Sequence, residues 1–321
     1  MSKKAPAHPA YQAGFEAMTK AGFSIISETI EQGRIAFNKA FEGGNYPETI
    51  VEKKVITAGL DNLPVELTIV RPPGTENDVL PGLVFLHGGG WATGGFITSE
   101  RIIKNIVTDA HVVVIFVDYR LSPEVKFPVA VEECYSSTLW VHENASTIKV
   151  DPSKLVVGGD SAGGNLSAAV SIMLAQRGHQ DVLRGQILIY PCTAHDRKEY
   201  ESFQTYGDGD YLLSRKDIAY FQDAYYDSDG SPADVRNAPL LATLDELKNV
   251  PRALVVTAEC DILRDEGEAY ARKLTEAGVD TCCVRVIGAT HGFATAPLDT
   301  PLSRQALNLI SNFLGKEAFK N

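Results

Sequence analysis

Two spacings of apolar residues alternate along the chain. Short runs rich in valine, isoleucine and leucine are separated by longer stretches in which apolar residues recur every three to four positions. The first pattern indicates buried strands and the second amphipathic helices, and we predict strands at 52–58, 65–71, 82–87, 112–117, 155–158, 186–190, 253–258 and 282–287. We predict helices at 99–109, 128–144, 162–177, 266–277 and 302–314. Such alternation is typical of an α/β fold, so we expect a mainly parallel, eight-stranded sheet flanked by helices.

Three parts of the chain depart from this alternation. The first two strands are joined by residues 59–64 alone, which favours an antiparallel hairpin at a sheet edge. Residues up to about 45 contain two helical runs, at 11–21 and 27–41, and residues 193–235 are polar and rich in aromatic side chains. A long insertion inside a compact domain is usually functional or disordered. Because this insertion is rich in aromatic side chains, we predict that it is an ordered part of a helical cap. We predict a single domain, 1–321, with the cap contributed by about 1–45 and about 193–235.

A strand that runs directly into a glycine-flanked serine is the first candidate for chemistry. Residues 155–158 are apolar and lead into Gly159-Asp-Ser-Ala-Gly163, after which a helix is predicted. In this strand–turn–helix setting the G-x-S-x-G pattern forms a nucleophile elbow. Its glycines let the strand and the helix approach closely, and the helix N-terminus favours negative charge. We predict that Ser161 is the nucleophile of an acyl-transfer reaction.

A second glycine run suggests how the negative charge of an acyl-transfer intermediate is stabilised. The predicted strand at 82–87 opens into His87-Gly-Gly-Gly-Trp91, and glycines leave backbone N–H groups accessible to an oxyanion. We predict that the N–H groups of Gly88, Gly89 and Ala162 form the oxyanion hole. A phosphate-binding loop is the competing interpretation, but the run lacks the Gly-Lys-Ser/Thr ending that such a loop needs.

The base and the acid that assist Ser161 are expected late in the chain, in the order serine, acid, histidine. His291 is the one histidine among seven that lies beyond the last predicted strand, so we predict that it is the general base. Asp261 follows the seventh predicted strand closely enough for a loop carboxylate to reach that base. Asp265 and Glu266 open the next helix, where acidic side chains simply favour the helix dipole. We therefore predict a triad of Ser161, Asp261 and His291.

Composition narrows the class of protein further. The chain has 321 residues, 44% of them hydrophobic, which suffices for one large core. A net charge of −11 without a basic run argues against a nucleic-acid partner, and no apolar stretch reaches the ~20 residues of a membrane span. The lysines near the start precede no apolar run, so we expect no secretory leader and a cytoplasmic protein. The five cysteines lack zinc-ligand spacing, and we expect reduced thiols and neither metal nor cofactor.

Five motifs resemble the hormone-sensitive-lipase-like branch of the α/β-hydrolases, which holds the bacterial family IV esterases and their fungal relatives. In the order of that family they are His87-Gly-Gly-Gly-Trp91, Asp118-Tyr-Arg-Leu-Ser-Pro-Glu124, Gly159-Asp-Ser-Ala-Gly-Gly-Asn165, Asp261-Ile-Leu-Arg-Asp-Glu-Gly267 and His291-Gly-Phe293. The resemblance implies an α/β-hydrolase fold, a cap over the active site and cofactor-free hydrolysis of short- to medium-chain acyl esters. It also implies a structural role for the second motif, in which we predict an internal ion pair between Arg120 and Glu124.

Two alternatives stay open beside a carboxylesterase. The same triad can hydrolyse lactones, amides or thioesters, because it attacks any activated carbonyl and the cap sets specificity. Plant hormone receptors of this branch bind a small molecule in the same pocket without catalysis and have lost the histidine. The presence of His291 argues against such a receptor. The expected partner is a small-molecule ester, and the sequence leaves open which ester it is and whether the chain forms a homodimer.

Overall fold

Within residues 4–20, 26–27, 29–227, 229 and 233–320, which the computed structural model describes, eight strands form one sheet. The strands are β1 (Ile50–Ala58), β2 (Leu63–Arg71), β3 (Leu80–Leu86), β4 (Val113–Asp118), β5 (Val150–Asp160), β6 (Gly185–Ile189), β7 (Ala253–Cys260) and β8 (Thr281–Thr290). They lie in the order β1-β2-β4-β3-β5-β6-β7-β8. β2 is antiparallel to β1 and β4, and the other neighbours are parallel. The predicted sheet and its edge hairpin are confirmed.

The central strands are apolar along almost their whole length because helices cover both faces of the sheet. In β3, Leu83 and Phe85 belong to the buried cluster on one face, and Val84 and Leu86 belong to the cluster on the other. This division follows from the alternation of side chains along a strand. A run that is apolar at every position is therefore explained by a sheet with two buried faces.

Helices on the two faces bury these clusters. The helices in the described ranges are α1 (Pro9–Lys20), α2 (Ile30–Lys39), α3 (Phe96–Ala110), α4 (Val129–Glu143), α5 (Ala162–Gln176), α6 (Glu201–Thr205), α7 (Arg215–Tyr225), α8 (Leu244–Leu247), α9 (Arg264–Glu276) and α10 (Pro301–Asn312). Ile102 of α3 and Ile310 of α10 pack on the face of Leu83, whereas Val131 of α4 and Leu166 of α5 pack on the face of Val84. The helices predicted from position 99 onwards are all present.

Both helical runs predicted ahead of the first strand are also present, as α1 and α2. Position 21 of the first run and position 28 of the second lie outside the described residues, as do positions 228 and 230–232 of the insertion. In the described part of the insertion, α6 and α7 are helical. None of the described helices is long and apolar enough to cross a membrane.

Hydrogen bonds connect the N-terminal segment to the insertion and to the region after β8. Tyr11 of α1 is buried, and its hydroxyl donates to the Phe293 carbonyl at 3.1 Å and lies 2.7 Å from Thr300 Oγ1. Tyr211 of the insertion donates to the Ala5 carbonyl at 3.1 Å. Three stretches that are far apart in the sequence are thus brought together.

Candidate active site

Ser161 occupies a sharp turn between β5 and α5. Its φ of 55° and ψ of −116° lie in a region that residues with a side chain rarely adopt, and such strain is common at functional sites. The flanking glycines make the turn possible. A Cβ atom on Gly159 would lie 2.0 Å from the Leu86 carbonyl oxygen, and one on Gly163 would lie 1.9 Å from the same atom. The strand and the helix therefore approach β3 so closely that only glycine fits at these positions.

The structure brings the three residues of the predicted triad into one hydrogen-bonded chain. Ser161 Oγ lies 2.9 Å from His291 Nε2, and His291 Nδ1 lies 2.8 Å from Asp261 Oδ2. The second oxygen of Asp261 accepts the Leu263 N–H at 2.9 Å, and both Asp261 and His291 are buried. With Nδ1–H donating to the carboxylate, Nε2 is left to accept the serine proton. These residues meet because the carboxyl ends of the parallel strands lie at one edge of the sheet.

The hydrogen bonds of the glycine loop, residues 87–91, differ from those expected of the predicted oxyanion donors. The N–H of Gly88 donates to Asp160 Oδ1 at 2.9 Å, so this donor is already engaged and the prediction for Gly88 is wrong. The N–H groups of Gly89, Gly90 and Ala162 donate to no acceptor among the described residues, and all three residues line the cavity at Ser161. Gly90 is absent from the donors predicted from the sequence. The run of three glycines offered it as a candidate, but choosing among them required the position of Asp160.

His87 fixes the start of the glycine loop as a neutral side chain. Complete burial lowers the pKa of His87 to about 4. Its Nδ1–H donates to the Gly88 carbonyl at 2.7 Å, and its ring stacks on Tyr119 with 4.2 Å between ring centroids. The Tyr119 hydroxyl in turn donates to the His87 carbonyl at 2.7 Å. The backbone on both sides of the His87–Gly88 peptide is thereby held in place.

Asp160 joins the glycine loop to the nucleophile turn. Burial raises the pKa of Asp160 to about 6, although the hydrogen bond from Gly88 lowers it in part. A Cβ atom on Gly88 would lie 2.4 Å from Asp160 Oδ2, so the two segments are in close contact. In the sequence, Asp160 stands only at a variable position of the elbow motif. A buried carboxylate directly before the nucleophile was the signal that could have identified it.

A mainly apolar cavity of about 400 Å³ opens at Ser161. Its walls come from the N-terminal helices, the glycine loop, the insertion and the segment after β8, and the lining includes Tyr11, Phe15, Phe37, Phe41, Trp91, Leu212, Leu213, Ile218, Phe221 and Leu298. Among the described residues that line it, Asp160 is the carboxylate and none is a lysine or arginine. The cavity therefore suits a neutral, apolar ligand rather than an anionic one.

The predicted ion pair between Arg120 and Glu124 is wrong. Arg120 instead contacts Glu133, which is fully buried on α4, and lies 2.7 Å from Asp61. A buried carboxylate needs a charged or hydrogen-bonding partner, and Arg120 supplies it. Glu124 is 60% exposed and pairs with Arg34 of α2 at 2.6 Å.

Glu266 does more than favour the dipole of α9. It is buried and lies 2.7 Å from the buried Arg197 of the insertion. Its Oε1 also accepts the N–H groups of Thr193 at 2.6 Å and Ala194 at 3.0 Å. Glu266 therefore fastens the start of the insertion to α9, next to Cys192, which lines the cavity.

Comparisons with known proteins agree with this architecture. Residues 83–295 match a family described by the alpha/beta hydrolase fold. An arylesterase from Saccharolobus solfataricus is 33% identical over 310 residues, which cover 97% of this chain and 95% of that protein. An ethyl acetate hydrolase from Pseudomonas putida is 36% identical over 249 residues, 77% of this chain and 76% of that protein. The solved structure of a fungal esterase from Rhizomucor miehei is similar with a TM-score of 0.88 and 44% identity, covering 98% of this chain and 99% of that one.

The family match covers well over half of the chain, and the arylesterase, the ethyl acetate hydrolase and the fungal esterase are each more than 30% identical to it. The chain therefore belongs to the α/β-hydrolase family, in its hormone-sensitive-lipase-like branch, and is a serine hydrolase of the carboxylesterase type.

Proposed function

We propose that this enzyme hydrolyses short- to medium-chain acyl esters through an acyl-enzyme formed on Ser161. The observation that carries the proposal is the hydrogen-bonded chain from Ser161 through His291 to Asp261, of which Ser161 and His291 line an apolar cavity. The distances of 2.9 Å and 2.8 Å in this chain are those that proton transfer and orientation of the imidazole need.

In the acylation step, Ser161 Oγ attacks the ester carbonyl carbon while its proton moves to His291 Nε2. The carbon–oxygen bond to the alcohol then breaks, and His291 returns the proton to the leaving oxygen, so that a neutral alcohol departs. Asp261 stays ionised, holds Nδ1–H and stabilises the imidazolium that forms. The acyl group remains as an ester of Ser161.

The N–H groups of Gly89, Gly90 and Ala162 are the proposed oxyanion donors. They have no other acceptor among the described residues, and they lie on the two segments that flank the serine. Each donor of this kind contributes about 3 kcal/mol to stabilisation of the transition state. In the deacylation step His291 takes a proton from water as the water oxygen attacks the acyl carbon, and the same N–H groups stabilise the second tetrahedral intermediate. The bond from the acyl carbon to Ser161 Oγ then breaks, His291 returns the proton to Ser161, and the carboxylic acid leaves.

The segments 1–45 and 193–235 form a cap in this proposal, and the cap limits the acyl chain to roughly two to eight carbons. A volume of about 400 Å³ is within the usual range for small-molecule sites and too small for a long triglyceride. Residues of both segments line the cavity. The ethyl acetate hydrolase among the relatives acts, by its name, on a small ester, which supports a small substrate here.

Covalent labelling tests the nucleophile. A fluorophosphonate should form one adduct on the peptide that contains Ser161 and abolish hydrolysis of p-nitrophenyl butyrate. Ser161→Ala should prevent labelling and lower kcat by about 10⁴- to 10⁶-fold. Ser146→Ala, at an exposed serine that does not line the cavity, serves as the matched control and should keep both properties. An adduct on a different serine, or an active Ser161→Ala enzyme, would refute the proposal.

A further inference from the structure

Arg34 of α2 holds acceptors on two loops at once. Its Nε donates to the Ala92 carbonyl at 2.7 Å, and its Nη2 donates to the Ser122 carbonyl at 2.8 Å. Nη1 and Nη2 also contact the two carboxylate oxygens of Glu124 at 2.6 Å and 2.7 Å. The planar guanidinium, with five donors, can bind a carboxylate in a bidentate manner and still reach carbonyl groups. Lysine cannot reproduce this set of contacts.

One of these carbonyl acceptors, Ala92, ends the turn that contains the proposed oxyanion donors, and the other, Ser122, lies on a second loop that is hydrogen-bonded to this turn. Ala92 lies two positions after Gly90, and the N–H groups of Ala92 and Thr93 both donate to the Gly89 carbonyl, at 3.2 Å and 2.9 Å. The N–H of Ser122 donates to the Trp91 carbonyl at 2.9 Å. Arg34 therefore holds the C-terminal end of this turn at Ala92. Within the turn, the Gly89 carbonyl accepts the hydrogen bonds from Ala92 and Thr93.

Packing on the other side leaves this turn little freedom. Ala92 is fully buried in a small cluster with Phe221 and Ala224 of α7, and Ile30 of α2 packs against the same cluster. A Cβ atom on Gly90 would lie 2.2 Å from the ring of Phe221, so α7 contacts the glycine backbone itself. Helices of both proposed cap segments thus meet at the turn, and Arg34 supplies its polar anchor.

The ion pair with Glu124 is the weaker part of this arrangement. Glu124 is 60% exposed, and exposed pairs of this kind contribute little because water and salt screen them. The carbonyl contacts are different, since Ala92 and Ser122 are buried and Arg34 is the donor that reaches both. Loss of Arg34 would leave the turn without this anchor, whereas loss of the Glu124 charge would leave the anchor in place.

We infer that Arg34 is a positioning residue of the reaction, which holds the glycine turn so that the N–H groups of Gly89 and Gly90 face the oxyanion. This inference rests on the proposed function. It assigns to helix α2 an effect on the rate of the chemical step, in addition to its contribution to the cavity wall. An oxyanion donor displaced by about 1 Å can cost as much as 100-fold in rate, and this loss does not depend on the length of the acyl chain.

The test compares Arg34→Met, Arg34→Lys and Glu124→Gln with the wild-type enzyme on p-nitrophenyl acetate and octanoate. Arg34→Met should lower kcat on both esters by between about 10-fold and 100-fold with little change in KM. The affinity for a trifluoromethyl ketone, which forms a tetrahedral adduct with Ser161, should fall by a similar factor. Arg34→Lys should be intermediate, and Glu124→Gln should change kcat less than threefold.

Arg304→Met is the matched control, because Arg304 forms an exposed ion pair with Asp299 at 2.7 Å and does not line the cavity. It should leave kcat and inhibitor affinity unchanged. An unchanged kcat on acetate in folded Arg34→Met, with or without a raised KM for octanoate, would overturn the inference. If Arg34→Met does not fold, the same comparison with Arg34→Lys decides. Labelling of Ser161 is recorded for each variant, so that failure of the nucleophile assignment is distinguished from failure of the inference.

Discussion

Burial shifts the pKa values of His87, in the glycine loop, and of Asp160, in the nucleophile turn. The two shifts make stability change with pH in opposite directions. The pKa of His87 is lowered to about 4, and that of Asp160 is raised to about 6. In both cases desolvation disfavours the charged form. Neutral His87 costs stability as the pH falls below its unfolded value, because the unfolded state then binds a proton that the folded state does not. Asp160 has the opposite effect.

Asp160→Asn should separate the two contributions. The folded-state pKa of Asp160 lies above its unfolded value, so its contribution is present in acid and lost as the pH rises through about 6. The stability of the wild-type enzyme relative to Asp160→Asn should therefore rise by about 2 kcal/mol between pH 7 and pH 4.5. Asparagine can still accept the Gly88 N–H through Oδ1. Urea unfolding at each pH measures the difference, with the exposed Asp181→Asn as a control for the loss of one charge. A constant difference across this range would contradict the raised pKa.

Single residues were predictable where their chemistry and their order along the chain agreed. Ser161 is marked by its flanking glycines, and the order serine, acid, histidine then led to Asp261 and His291. The choice between Gly88 and Gly90 as oxyanion donors could not be made from the sequence. It depends on which N–H donates to Asp160, and this contact joins segments 72 positions apart that no local pattern connects.

At the scale of elements, apolar periodicity predicted the strands and helices of the sheet because those segments are buried in the manner their pattern implies. It could not predict how the insertion attaches. The acidic residues at the start of α9 suited a helix dipole equally well, and only the fold brings Arg197 to Glu266. A buried charge pair of this kind contributes to the register of the insertion against α9.

Glu266→Ala should destabilise the enzyme strongly. It would leave the buried Arg197 without its carboxylate and would remove the acceptor of two backbone N–H groups. Breaking a buried pair by removing one partner costs about 3–5 kcal/mol. Urea unfolding followed by fluorescence measures this change in the free energy of unfolding. Glu276→Ala, an exposed glutamate at the end of the same helix, should cost less than about 0.5 kcal/mol. A loss below about 1 kcal/mol in Glu266→Ala would show that the pair is dispensable.

At the scale of the whole molecule, residues from both segments of the proposed cap, 1–45 and 193–235, line one cavity. The sequence indicated these segments because they lack sheet periodicity and are rich in aromatic residues. It could not give the size of the space between them, since that space depends on how α1 and α2 are placed. Tyr11, buried between Phe293 and Thr300, fixes α1 beside the loop of His291. The cavity wall and the catalytic loop are therefore parts of one packed unit.

The acyl-chain preference should follow from the wall that α2 forms. Phe37 lines the cavity, and its ring stands 5.1 Å from that of Phe41, which lines it as well. Replacing Phe37 with alanine enlarges this end of the cavity. The ratio of kcat/KM for a decanoyl ester to that for an acetyl ester should therefore rise by about 10-fold, which is the selectivity that one or two methylene groups give in an apolar pocket.

Ile35→Ala is the matched control on the same helix, because Ile35 is 64% exposed and does not line the cavity. A series of p-nitrophenyl esters from two to twelve carbons gives the ratio for each variant. If Phe37→Ala and Ile35→Ala both keep the wild-type ratio, α2 does not bound the acyl chain, and the limit of about eight carbons must come from the insertion or from the segment after β8.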